Sequence, residues 1–232
     1  MKPAFKLIYL AIIFSLLASC ASLYDSSYQV KAGDTLYSIA WRYGLDYKQL
    51  ASWNRIAVNS IIKPGQILKL YQPRAKEAVP AEVASSTSVR VTKLKLPNEN
   101  TKAVVANVDT SRWLWPTKGT ILNTFSASKP DRRGIDIAGK LGQSVLATAD
   151  GKVVYSGNGL SGYGNLIIIK HSDTYLSAYA YCQQRLVKEG TQVKAGMVIA
   201  KMGQHKIRTA RLHFEIRKNG APVDPLKYLP KR

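Results

Sequence analysis

The sequence predicts two folded domains of different class, joined by a disordered linker. A small α+β module with the order βααβ is expected at residues 28–71, because two short helical patterns lie between two strand-like segments. An all-β domain of antiparallel sheets is expected at 113–232, where short apolar segments alternate with glycine turns. The segment 72–112 contains no Phe, Trp or Tyr, and such a segment buries too little apolar surface to fold.

The N-terminus has the pattern of an export signal. Two lysines precede an apolar run at 7–18 that ends in Leu-Ala-Ser-Cys20. A basic start, a short apolar run and small residues before a cleavage point are typical of secreted chains, although a buried N-terminal helix is an alternative. The four residues resemble a bacterial lipobox. The resemblance implies removal of residues 1–19, lipidation of Cys20 and, with Ala21 following, a lipid anchor in the outer membrane on its periplasmic face.

The chain is strongly basic. It carries 34 Lys+Arg against 14 Asp+Glu, a formal net charge of +20, and loss of the signal removes two of the lysines. An exported protein meets little nucleic acid, so we expect its anionic partners to be wall carboxylates, acidic lipid surfaces and acidic protein faces. With Cys20 lipidated, Cys182 has no disulfide partner and is expected to be a small buried apolar residue.

The small module is predicted element by element. A strand at 28–30 is followed by a Gly-Asp turn, and either Asp34 or Thr35 caps a first helix whose apolar residues recur at spacings of three and four. Gly44 ends this helix. A second helix and a Pro-Gly turn lead into a strand at 66–70.

The segment VKAGDTLYSIAWRYGLDYKQLASWNRI…IIKPGQILKL resembles a LysM domain over its whole length. The resemblance implies that the module binds the N-acetylglucosamine backbone of peptidoglycan in a shallow groove. Carried over position by position, the groove consists of Gly33, Asp34, Thr35, Leu36, Ile61 and Ile62. For Leu36 and Ile61, ordinary core packing is an equally good explanation.

The β domain is predicted from its apolar segments. Strands are expected at 120–125, 145–147, 152–155, 165–170, 174–179, 197–201 and 212–217. The motifs WPTKGTI, RRGIDIAG, YLSAYAYC and RLHFEIRKNGAPVDPLKYL, almost from Trp113 to Leu229, resemble a LytM-type peptidase domain of the M23 family. A lipoyl-type carrier shares the glycine-rich turn VKEGTQVKAG, but the surrounding strands fit the LytM order better.

The last long strand carries the chemistry of interest. Its residues alternate between polar and apolar, so Arg211, His213 and Glu215 share one face. A catalytic zinc needs three protein ligands and an open position for water. An arginine has no lone pair to offer a metal.

In active M23 peptidases, the H-x-x-x-D motif and the second His of H-x-H hold zinc, and two further histidines handle the water and the reaction intermediate. Here Arg132, Tyr181 and Arg211 stand at three of the histidine positions, and only Asp136 and His213 match. The resemblance therefore implies no catalytic residue, no metal and no cofactor.

The remaining histidines do not restore a metal site. The chain contains only His171, His205 and His213. His171 matches a strand-end position that the family does not use as a ligand, and His205 is at best an improvised third ligand. Two guanidiniums beside the site repel a divalent cation, by about 4 kcal/mol per pair of unit charges ~4 Å apart. We expect the aspartate to pair with Arg132 or Arg211 instead.

The combination of lipobox, LysM domain, linker and degenerate LytM domain resembles the murein hydrolase activators. The resemblance implies that the LytM groove binds a zinc-dependent N-acetylmuramoyl-L-alanine amidase and relieves its autoinhibition, which leads to septal wall splitting and daughter-cell separation. Two alternatives are a passive tether between outer membrane and peptidoglycan, and an active M23 zinc endopeptidase. For Tyr163 and Glu215, strand or turn support is as good an explanation as partner contact. The candidate groove residues are Arg132, Arg133, Asp136, Tyr163, Asn165, Tyr181, Arg211, His213 and Glu215.

Overall fold

The computed structural model describes residues 27–71, 113–129, 131–204 and 209–232. The signal segment, Cys20, the linker at 72–112 and His205 lie outside these residues. The described residues confirm the predicted classes, a small α+β module and a β domain built on a large antiparallel sheet. No helix in these ranges has the length and apolar character to cross a membrane.

The small module consists of two capped helices packed against a two-stranded sheet. Thr35 caps the first helix, because its hydroxyl accepts a hydrogen bond from the Ser38 amide at 3.0 Å while the Ser38 hydroxyl accepts one from the Thr35 amide at 2.9 Å. Gly44, in the left-handed conformation, ends it as predicted. The elements are β1 (Ser27–Gln29), α1 (Leu36–Tyr43), α2 (Tyr47–Trp53) and β2 (Ile67–Lys69).

The β domain is a twisted antiparallel sheet. Its strands are β3 (Ile121–Asn123), β4 (Ile135–Ala138), β5 (Ser144–Leu146), β6 (Gly151–Gly157), β7 (Asn165–Lys170), β8 (Tyr175–Arg185), β9 (Gln192–Val193), β10 (Val198–Met202), β11 (Arg211–Lys218) and β12 (Ala221–Val223). They run in the order β3-β4-β11-β8-β7-β6-β9, with β10 pairing β5 and β8, and β12 pairing β11. Strand β7 has the predicted bounds. Strands β4, β9 and β12 were not predicted, since each is short and bounded by charged or glycine residues.

One face of this sheet covers the main core of the β domain. Leu212, Phe214 and Ile216 on β11 point into it, as the alternation predicted, and pack with Tyr179 of β8. Cys182 is buried and free, which confirms its predicted role as a small apolar residue. Burial raises the pKa of its thiol to about 12, so it stays protonated.

The opposite face of the sheet is covered by the small module. Residues of this face, together with Leu160 between β6 and β7, form one apolar cluster with the module: Tyr155, Leu166, Ile168, Leu176, Ala178 and Ala180. The run 166–169 is therefore buried on both sides, which explains why it is continuously apolar rather than alternating.

Polar contacts orient the module on the sheet. The Arg217 guanidinium stacks on the Trp41 ring, 3.6 Å from its centroid, and its Nη1 donates to the Trp41 carbonyl oxygen at 2.8 Å. Arg42 donates to the Gly159 carbonyl oxygen at 3.1 Å. Gly220, with φ +80°, lies so close to the module that a Cβ there would stand 2.6 Å from the backbone of residues 45–46. The module is thus seated against the β11–β12 turn without room for a side chain.

Candidate functional site

The candidate site lies on the sheet face that the module covers in part. Five side chains, here called the polar cluster, meet on it: Asp136, Arg211, His213, Glu215 and Arg217. The register places His213 of β11 opposite Asp136 of β4 on one side and Ala180 of β8 on the other. Each member of the cluster is at most 9% exposed. The predicted shared face of Arg211, His213 and Glu215 is confirmed.

Asp136 is bound on both carboxylate oxygens. Its Oδ1 lies 2.7 Å from His213 Nδ1. Its Oδ2 accepts hydrogen bonds from Arg211 Nη1 at 3.2 Å and from Asn123 Nδ2 at 2.9 Å. The predicted ion pair between Asp136 and Arg211 is therefore confirmed, and Asn123 is a partner that the sequence did not indicate.

Glu215 closes the other half of the cluster. Its Oε1 lies 3.2 Å from His213 Nε2 and accepts a hydrogen bond from the Tyr163 hydroxyl at 2.7 Å. Its Oε2 accepts two hydrogen bonds from Arg217, from Nε and Nη2, each at 3.2 Å. Through Arg217 the chain of contacts continues to Trp41, so the module and the cluster form one polar network.

Burial opposes the charge on His213, but its hydrogen bonds with Asp136 and Glu215 outweigh burial and raise the pKa of the imidazole to about 9. Burial likewise acts to raise the pKa of Glu215, yet the hydrogen bond with His213 and the charge of Arg217 lower it to about 2. For Asp136, hydrogen bonds from His213 and Asn123 overcome burial and lower the pKa. The cluster is a set of alternating positive and negative charges.

Tyr181 stands at an irregular point of β8. Its φ is +62°, a left-handed conformation that costs a non-glycine residue on the order of 1 kcal/mol or more. The register between β7 and β8 shifts between the partners Tyr179 and Cys182, so Tyr181 lies within a bulge-like irregularity of the strand. The centroid of the Tyr181 ring lies 5.6 Å from that of the His213 ring, and the centroid of the Tyr163 ring lies 6.0 Å from that of His213.

Comparisons with known proteins agree with this architecture. The family Peptidase family M23 matches residues 130–225, and the LysM domain matches 28–70. The chain is 42% identical to Lipoprotein NlpD/LppB homolog of Pseudomonas aeruginosa, over 90% of this chain and 78% of that protein. It is 40% identical to Murein hydrolase activator NlpD of Escherichia coli, over 89% of this chain and 68% of that protein. The chain belongs to the NlpD family. It is also 36% identical to Outer membrane antigenic lipoprotein B of Haemophilus influenzae, over 92% of this chain and 66% of that protein.

The donor set of this NlpD-family chain does not fit a zinc ion. Both ring nitrogens of His213 face carboxylates, and both oxygens of Asp136 already accept hydrogen bonds. A metal ligand needs a free lone pair, which His213 lacks while both of its nitrogens are hydrogen-bonded and which the guanidinium of Arg211 never offers. Within the described ranges, no three His, Cys, Asp or Glu side chains are grouped so that they would hold a metal ion.

The other predicted groove residues have separate roles. Arg132 donates to Asn123 Oδ1 at 3.5 Å and is only half-buried. Of the two arginines predicted to pair with Asp136, Arg211 does so and Arg132 does not. Arg133, beside Arg132, is also half-buried. Asn165 Nδ2 donates to the carbonyl oxygens of Cys182 and Gln183, at 3.0 and 3.2 Å, so it ties β7 to β8.

His171 lies away from the site, in the core of the β domain. Its Nδ1 is 2.7 Å from the Asp150 carbonyl oxygen and its Nε2 is 2.7 Å from the Ser177 hydroxyl. Burial lowers the pKa of this imidazole to about 4, so it is neutral at physiological pH. The contacts agree with the expectation that His171 is structural.

The predicted glycan residues of the NlpD-family module line two clefts beside the β domain, but they differ in burial. Leu36 is 3% exposed and packs in the apolar cluster, so core packing accounts for it. Ile61 is 93% exposed, so core packing does not. The Asp34 carboxylate accepts hydrogen bonds from the Tyr28 hydroxyl and the Lys31 amide, which holds the turn before α1.

Arg217, like Asn123, is a site residue that is absent from the candidates predicted from the sequence. It is 1% exposed, binds Glu215 with two donors and joins the cluster to the module. The signal was present, since Arg217 follows Arg211, His213 and Glu215 on the same strand face. The burial that gives it this role depends on a helix more than 170 residues away in the chain.

Proposed function

We propose that this protein activates a peptidoglycan hydrolase and has no hydrolase activity of its own. The observation that carries the proposal is the closed polar cluster, in which Asp136, His213 and Glu215 bind one another instead of presenting free ligands. The name of the E. coli relative, Murein hydrolase activator, supports it. The partner we propose is a zinc-dependent N-acetylmuramoyl-L-alanine amidase.

The chemistry of the site face supports binding rather than catalysis. A general base needs an unoccupied lone pair near the reacting atom, and His213 has neither nitrogen free. The guanidinium of Arg211 offers hydrogen-bond donors and no acceptor. Burial raises the pKa of the Tyr181 phenol, so it stays protonated. Each group at the former histidine positions therefore donates hydrogen bonds but takes up no proton.

The surface that we propose for the amidase is the uncovered rim of the site face. Arg132 and Tyr181 are half-buried there, as is Arg133 beside Arg132 in the chain, whereas Glu215 and Arg217 are buried. A guanidinium presents a planar fork of donors that matches a carboxylate. We therefore assign Arg132 and Arg133 to contact with acidic side chains of the amidase, and the buried cluster to holding the rim in place.

We propose that the rest of the chain brings this surface to the cell wall. The small module, matched by the LysM family, is proposed to bind peptidoglycan strands. Cys20 is proposed to carry the lipid that anchors the chain to the outer membrane, which agrees with the lipoprotein names of its relatives. We further propose that the chain stimulates the amidase at the septum and that daughter-cell separation follows. A passive tether would use the same anchor and module but leave amidase rates unchanged.

Dye release from labelled peptidoglycan by a purified amidase tests the proposal. The exported chain should accelerate release, and the double variant Arg132→Ala/Arg133→Ala should lower this stimulation roughly ten-fold or more, the loss expected for charge-assisted contacts. The matched control Lys118→Ala/Lys140→Ala changes two exposed lysines elsewhere on the β domain and should stimulate normally. Dye release by the chain alone, abolished by EDTA, would contradict the proposal, as would normal stimulation by the arginine variant.

A further inference from the structure

The module and the β domain enclose two adjoining clefts, and all six predicted glycan residues lie in them. The first cleft, of about 370 Å³, is lined on the module side by Asp34, Thr35, Leu36, Ile61 and Ile62. The second, of about 650 Å³, contains Gly33. Both volumes fall in the range of small-molecule sites. Glu189 of the β domain borders both clefts, so they are neighbours.

The β-domain wall of these clefts is basic. Lys152 and Lys170 line the first cleft, and Arg185 and Lys188 line the second, against the single acidic side chain of Glu189. Lys170 is paired with Asp173 at 2.6 Å. Lys152 and Lys188 are exposed and have no ion-pair partner among the described residues. The Nη1 of Arg185 is buried and has no hydrogen-bond partner in the described part of the chain.

The module wall of the clefts presents an apolar edge instead of unpaired charges. Asp34 is paired with Arg42 at 3.5 Å and accepts a hydrogen bond from the Tyr28 hydroxyl. Beside it, the exposed side chain of Ile61 and the buried Ile62 form an apolar edge. An apolar edge next to backbone groups suits the face and the acetamido group of an amino sugar, whereas unpaired ammonium and guanidinium groups opposite suit a carboxylate.

From this geometry we infer that the glycan site of the protein has two walls, and that its ligand is an N-acetylated amino-sugar strand bearing carboxylates. The module wall takes the sugars, and Lys152, Arg185 and Lys188 of the β domain take carboxylates on the muramic acid units. The inference deepens the proposed peptidoglycan binding and rests on it. The carboxylate has two sources, the lactyl group of a strand without stem peptides and the stem peptides themselves.

Three soluble probes separate these possibilities in titrations of the exported full chain: neutral chitopentaose, a GlcNAc–MurNAc tetrasaccharide without stem peptides, and the same tetrasaccharide with them. All three should shift the amide NMR signals of Val153, Val154 and Gly190 as well as those of the module. At low salt, the two acidic probes should bind roughly ten-fold more tightly than chitopentaose, since each exposed charge contact adds a few-fold. The acidic probe that binds more tightly identifies the source of the carboxylate.

The double variant Lys152→Gln/Lys188→Gln should remove this preference and leave the chitopentaose affinity within two-fold of the unmodified chain. The control Lys118→Gln/Lys140→Gln makes the same charge change on another surface and should keep the preference. Shifts confined to the module, or equal behaviour of the two double variants, would overturn the inference and leave peptidoglycan binding intact. Absence of binding to all three probes would instead overturn the glycan-binding part of the proposed function, and the inference with it.

Discussion

The charge state of His213 gives a quantitative test of the polar cluster. Its pKa is raised to about 9 in the folded chain, against about 6.5 for an unperturbed imidazole. The folded chain therefore keeps a proton that the unfolded chain releases between these pH values. This contribution to stability is complete below pH 6.5 and is lost as the pH rises through 9. The difference between the folded and unfolded pKa values corresponds to about 3 kcal/mol of unfolding free energy.

Imidazole NMR titration measures this pKa directly, because the chain has three histidines and His→Gln variants assign each signal. His171 is the internal control, because its pKa is lowered to about 4. Its contribution to the stability of the fold is therefore present above pH 6.5 and is lost as the pH falls through 4. Urea unfolding at pH 6.5 and above 9 should show the loss of about 3 kcal/mol, and His213→Gln should abolish it. If His213 titrates at or below 6.5, or if the variant keeps the same loss, the charge assignment is refuted.

Three further predictions concern other parts of the chain. Gly220→Ala should displace the module and shift the NMR signal of the Trp41 indole N–H. The control Gly162→Ala, at a residue of similar φ with open space around it, should leave this signal unchanged. Equal shifts in the two variants would contradict the seating of the module against the β11–β12 turn. Arg211→Ala should lower the unfolding free energy by about 2 kcal/mol, since a buried carboxylate loses a charged partner, and an unchanged urea midpoint would refute this. Cys20→Ala should release the chain from the outer membrane on fractionation, and full retention would exclude a lipid anchor at that residue.

Much of the local structure follows from the sequence, because it depends on short-range rules. A cap at Asp34 or Thr35 and a helix end at Gly44 are predicted, since a side-chain oxygen suits a helix start and glycine accepts a left-handed backbone; the structure selects Thr35 as the cap. The alternation of β11 places Arg211 and His213 on one face. The sequence also has Arg132, Tyr181 and Arg211 where the resemblance leads one to expect histidines, so the residues alone predict binding without catalysis.

Only the tertiary structure decides how the site is closed. Asp136 could pair with Arg132 or Arg211 on sequence grounds, and the antiparallel register of β4 with β11 selects Arg211. The contact of Arg217 with Trp41 joins residues far apart in the chain, and no periodicity encodes such a pair. The continuous apolar run 166–169 shows that something covers that face, but it does not say what. Local patterns specify which face of a strand is polar, whereas what packs on that face depends on burial and charge matching between whole domains.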